Sequence, residues 1–134
     1  MNTPNIQFTV QDIYELHIQL EKTFILSSGI RDKNLLVSAV NTPFQTFMGN
    51  DLYPSIYDKA AQLCYGIVKN HPFTDGNKRT ALHSMYVYLI INGFDITASQ
   101  QEVENLIINV AAGNMTNIEL AQWLKDNTIQ LDRL

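Results

Sequence analysis

The sequence predicts an all-α fold of about six helices around one central buried helix, with a short flap or hairpin near residues 42–54. Three observations predict it. Hydroxyl residues stand three positions before an acid at Thr9 and Asp12, Ser55 and Asp58, Ser99 and Glu102, and Thr116 and Glu119. In that pattern, side chains satisfy the free amides of a helix start. Apolar residues behind these caps recur at helical rather than alternating spacing. Glycines stand where two of the periodic runs end, Gly93 after Asn92 and Gly113 after Ala112.

The first helix, 10–24, offers Val10, Ile13, Tyr14, Leu16, Leu20 and Phe24 as its core side. His17 is expected beside them at the edge, packed or half-exposed rather than a ligand. Gly29 to Asp32 then turns the chain, and Asp32 caps a helix over 32–41. Arg31 has two readings, a reach toward the polar loop at 71–80 or a structural ion pair, and stays outside the catalytic set. Between 42 and 54, Pro43, Pro54 and the turn signal Gly49-Asn50 interrupt Phe44, Phe47, Met48, Leu52 and Tyr53, which reads as a hairpin or ordered loop.

A helix over 55–70 places Ile56, Ala60, Leu63, Cys64, Ile67 and Val68 toward the core. The next, 77–92, is apolar on most sides and is expected to be the central helix, packed on every face. Helices over 99–112 and 116–127 complete the set, with Trp123 as a packing residue and a frayed tail after Asp126. No repeat, long linker or low-complexity stretch interrupts the chain, so residues 1–134 read as one domain.

At 134 residues and 46% hydrophobic content, the chain can bury one core. Its net charge is −4, with cations scattered except for Lys78-Arg79, which argues against a nucleic-acid partner. Met1 to Phe8 carries no secretory pattern and no run of roughly 18 apolar residues follows, so no membrane association and a cytoplasmic location are expected. Cys64 is the single cysteine, cannot form an internal disulfide, and reads as a buried small hydrophobe.

The chemistry concentrates between the two core helices, in His71-Pro72-Phe73-Thr74-Asp75-Gly76-Asn77-Lys78-Arg79-Thr80. Pro72 stops the preceding helix at about Asn70. The following helix starts near Gly76 or Asn77, leaving unpaired N–H groups and about half a positive charge where an anion can sit. Gly76 permits close backbone approach or a positive φ. Lys78 and Arg79 add cations where acids are usual, so phosphate is the natural guest. An imidazole titrating near pH ~6.5 can take a hydroxyl proton, a contribution on the order of 100- to 10,000-fold. Asp75 can hold a Mg²⁺ bridging phosphate oxygens, or cap the next helix. These residue types together point to phosphoryl or nucleotidyl transfer to a hydroxyl. His83 forms no recognisable zinc pattern with Cys64.

The same ten residues resemble the active-site signature of the Fic/Doc (Fido) family, most narrowly its Doc, or death-on-curing, toxins. The resemblance extends from about Thr9 to Leu124. It implies a Fic/Doc-like helical domain in which His71 activates the target hydroxyl and Asp75 holds Mg²⁺ with the phosphates of ATP. It further implies that Asn77 supports the anion site beside Gly76, that Lys78 and Arg79 grip phosphate, and that Phe73 seats the loop in the core. The region at 42–54 matches a flap whose edge aligns the target by strand addition, though its aromatic residues could instead cover the core.

Two departures from the AMP-transferring branch matter: Lys78 stands where that branch has Gly, and Leu82 where it has a second Arg. Members with this Lys resemble Doc, which phosphorylates a threonine of elongation factor Tu from ATP and so blocks translation. Gln100, Glu104 and Asn105 make the nearest approach to the family's self-inhibition pattern but lack its hydroxyl, so restraint by a separate Phd-like antitoxin is implied. The rival readings are an AMP transferase using the same His71, and a catalytically silent helical binding module.

Overall fold

The computed structural model describes residues 6–132. Residues 1–5 and 133–134, which include most of the Met1–Phe8 stretch and both ends of the expected 1–134 domain, lie outside the described residues. Among the described residues six α-helices carry the chain: α1 (Val10–Phe24), α2 (Lys33–Asn41), α3 (Ile56–Asn70), α4 (Asn77–Ile91), α5 (Gln100–Ala111) and α6 (Asn117–Asp126). Every one falls within a residue of its predicted bounds.

The starts are set by local hydrogen bonds. The Thr9 hydroxyl accepts the Asp12 N–H at 3.1 Å while the Asp12 carboxylate accepts the Thr9 N–H at 2.9 Å. The same reciprocal box opens α3, α5 and α6, and Asp32 accepts the Leu35 N–H at 3.0 Å. Each cap contributes about 1 kcal/mol. Gly93 and Gly113 take positive φ where α4 and α5 stop, as the sequence suggests.

The most enclosed helix is α3 rather than the 77–92 helix. It packs against α2, α4, α5 and α6. The physical reason is side-chain size: Ala60, Ala61 and Gly66 let neighbours approach, and a Cβ on Gly66 would lie 3.4 Å from the Ala39 Cα of α2. α4 buries Ala81, Met85, Tyr88 and Leu89 against α3 but leaves Tyr86 41% exposed, so its apolar content did not translate into enclosure on every face. Cys64 is fully buried in α3, and burial pushes its thiol up to about 12.

Residues 42–54 form a 3-10 turn, Thr42–Phe44, followed by the two-residue strands β1 (Thr46–Phe47) and β2 (Asn50–Asp51), paired antiparallel. Phe47 is 67% and Met48 85% exposed, so the hairpin tip does not cover the core. Its base is fixed by the buried Lys59 of α3, whose ammonium donates to the Asp51 carboxylate at 3.1 Å and to the Tyr53 carbonyl.

Directly after Asp126 the chain is paired rather than frayed. Thr128–Gln130 (β4) pairs antiparallel with Phe94–Ile96 (β3), and the ladder is closed by Thr97 N–H to the Asn127 carbonyl at 2.8 Å and Leu131 N–H to the Gly93 carbonyl at 2.7 Å. Trp123 is half-buried against the core. Among the described residues no helix is long and apolar enough to cross a membrane.

Candidate active site

α3 ends at Asn70, and His71 leaves it in the left-handed region at φ 46°, ψ 54°. That conformation costs an L-residue roughly 1–2 kcal/mol, so something must hold it. The neighbouring strap, Ser27–Asp32, does so. Arg31 Nε donates to the His71 carbonyl at 2.6 Å and its Nη2 to the Asn70 carbonyl at 2.9 Å. The Pro72 carbonyl accepts both the Arg31 and Asp32 N–H groups, at 2.7 and 3.1 Å. Farther along, Thr74 N–H reaches the Gly29 carbonyl at 3.1 Å and Ser27 N–H reaches the Asp75 carboxylate at 3.2 Å. Arg31 therefore grips the backbone of the loop and the end of α3, where cations are favoured by the helix dipole.

Asn77 closes the loop from the other side. Its Oδ1 accepts the Phe73 N–H and its Nδ2 donates to the Phe73 carbonyl, both at 3.0 Å. The same Nδ2 lies 3.5 Å from His71 Nδ1, a long contact that leaves the exposed imidazole free to turn its other nitrogen outward. Phe73, 1% exposed, is the anchor between these two residues.

Gly76 caps α4 with φ 75° and no side chain caps that helix. Asp75 does not take the capping role that the sequence left open: its carboxylate accepts the Gly76 N–H at 2.8 Å and the Ser27 N–H. The first amides of α4 consequently have no side-chain partner. A Cβ at Gly76 would lie 2.3 Å from Leu26 Cδ1 and 3.5 Å from His17 Cε1, so the junction is filled from beneath.

Lys78 and Arg79 are exposed in the first turn of α4 and line a groove of about 820 Å³ between α1, α4 and α5, with Leu82, His83, Tyr86 and Glu104. Arg79 stacks its guanidinium 4.0 Å above the Phe24 ring of α1. Burial holds the His83 imidazole below its ordinary titration range. The structure thus brings His71, Asn77 and the start of α4 together, sets Asp75 on the strap side, and turns the two cations toward the groove mouth.

Sequence reasoning misplaced one residue here. His17 is not at an edge but 0% exposed, stacked face to face on Phe73 with ring centroids 3.7 Å apart and planes 7° apart. No local signal set it apart, since a histidine with an acid four residues on along the same helix face is equally compatible with an exposed position.

A cation would fit at Asp75. Mg²⁺ commonly takes one or two carboxylates and completes its shell with phosphate oxygens and water. Asp75 is exposed, each of its oxygens accepts one backbone N–H and keeps a lone pair for a cation, and among the described residues no cluster of three or more His, Cys, Asp or Glu side chains forms a closed cage.

The chain is a helical domain of the Fic/DOC family: that family's model matches residues 7–89, more than half of the sequence. Among individual proteins, the chain is 42% identical over 84 residues to the protein named Toxin Doc of Mycolicibacterium smegmatis (strain ATCC 700084 / mc(2)155). The aligned part covers 61% of this chain and 65% of that relative, so the chain matches somewhat less than two thirds of the relative's length.

Proposed function

We propose that the chain acts as one Fic/Doc domain and as a Doc-like toxin, transferring the γ-phosphate of ATP to a hydroxyl of a protein target. The observation that carries this reading is the placement of an exposed His71 beside the uncapped first turn of α4, with Asn77 bonded across the loop between them. The amides following Gly76 receive the phosphate oxygens, and Lys78 and Arg79 offset charge at the groove mouth. The target hydroxyl gives its proton to the outward nitrogen of His71 as its oxygen bonds the γ-phosphorus. The bond to the bridging oxygen breaks, and ADP leaves with that electron pair. Asp75 would hold Mg²⁺, which when bound neutralises charge on the phosphate oxygens.

Lys78 and Leu82, standing where the AMP-transferring branch has Gly and Arg, favour phosphate over AMP as the transferred group. The exposed Phe47 and Met48 support the hairpin as the edge that aligns the target segment. By resemblance the target is a threonine of elongation factor Tu, the site of action is cytoplasmic, translation is blocked, and a Phd-like antitoxin restrains the enzyme. Incubating the protein with target extract and ATP labelled at the α or the γ position tests the reading. Transfer of γ-label, abolished in His71→Ala, is expected. Transfer of α-label would make the protein an AMP transferase, and transfer of neither, with toxicity unchanged in His71→Ala, a silent binding module.

A further inference from the structure

His17 is a fully buried titratable group that the proposed mechanism does not use, and its contacts run to Phe73 and Gly76 of the phosphate loop and to Thr80 of the helix after it. The flat face of the ring lies on Phe73. Cε1 lies 3.5 Å from where a Cβ on Gly76 would stand. Nδ1 is 2.8 Å from the Thr80 hydroxyl in the first turn of α4. Nε2 is 3.3 Å from Glu21 Oε1, near enough for electrostatic attraction but outside hydrogen-bond alignment. The same Glu21 oxygen accepts the Gly29 N–H of the strap at 3.1 Å.

These contacts fix the tautomer. A carboxylate repels a bare nitrogen lone pair, so Nε2 carries the proton, and Nδ1 then accepts from the Thr80 O–H. Burial, the largest influence on this imidazole, lowers its pKa against the opposing pull of Glu21 and Asp75. The neutral ring is therefore the species that bridges the two sides. Two hydrophobic residues could fill this space, but neither would bond Thr80 from α1 while facing the acid that holds the strap.

We propose that His17 is a positioning residue: by bonding Thr80 and supporting Phe73 and Gly76 from beneath, it sets the geometry of the phosphate loop and of His71 above it. This rests on the phosphate-transfer reading for its catalytic consequence, but not for its structural one. A misplacement of about 1 Å can cost on the order of 100-fold in rate, so a loosened loop is read mainly in kcat.

The test uses the full chain with His17→Phe, which keeps an aromatic plane on Phe73, with Thr80→Val, which removes the hydroxyl at nearly constant shape, and with both together. Amide hydrogen exchange is compared at Thr74, Asp75, Gly76 and Asn77 and at Leu63 and Ile67 in α3. Exchange at the loop is expected to accelerate about tenfold relative to the α3 amides in each single variant, and no further in the double variant, because one bond is lost in all three. With γ-labelled ATP, kcat is expected to fall about tenfold while KM for the protein target stays within about twofold. An imidazole ¹⁵N spectrum should show the Nε2–H tautomer in the wild type and in His71→Ala. If His17→Phe does not fold, Thr80→Val alone decides. Loop and α3 amides accelerating in parallel, or no change at the loop, would overturn the proposal. If the wild type transfers no label, the phosphate-transfer reading fails, and the exchange comparison still stands or falls by itself.

Discussion

His71 occupies a backbone conformation that few L-residues adopt, and two bonds from Arg31 to the carbonyls of Asn70 and His71 stabilise it. Arg31→Ala should lower stability by about 1 kcal/mol in a urea melt and reduce transfer more than that loss explains, with Arg31→Lys recovering part of both. Gly76 is constrained twice, by φ 75° and by the Leu26 methyl that an added Cβ would strike. Gly76→Ala is expected to cost about 1–2 kcal/mol, measured by thermal unfolding, because alanine resists the left-handed region. His17 and His83 both bind protons less readily in the folded chain than in the unfolded one. Below pH ~6.5 the unfolded state therefore holds more protons than the native state, and stability falls as pH drops. Urea melts from pH 7.5 down to about 5 should show this fall, and His17→Phe should flatten it. At this scale the sequence disclosed the identity of the loop residues, because they are contiguous. It concealed the burial of His17, since one polar residue on an amphipathic helix looks the same whether it lies at the boundary or under a loop.

Helices were legible because their signals are local. A hydroxyl three residues before an acid acts within one turn, and every such pair from Thr9-Asp12 to Thr116-Glu119 formed its box. The β3–β4 pair was not legible, for its three-residue strands lie more than thirty residues apart and depend on where α6 delivers the chain. The rank of α3 over α4 was missed for a related reason: apolar content measures what a helix can bury, whereas small residues such as Ala60, Ala61 and Gly66 decide how many neighbours reach it. The hairpin illustrates an element tied down by one buried cation. Lys59→Met should leave the Tyr53 carbonyl without its ammonium donor, cost about 1–3 kcal/mol, and speed amide exchange at Leu52 while α6 is unaffected.

Across the molecule, a chain of net charge −4 presents a positive turn at one helix start, between a strap that fixes the loop backbone and a groove lined by Lys78 and Arg79. Under the proposed reading, the exposed hairpin tip would receive the target, the exposed His71 would accept its proton, and the amides following Gly76 would hold the phosphates. The most direct test of the central claim is the intact mass of the modified protein target after incubation with ATP and either wild-type chain or His71→Ala. Addition of one phosphate by the wild type and none by the variant is the predicted result; addition of AMP, or an equal addition by both proteins, would contradict it.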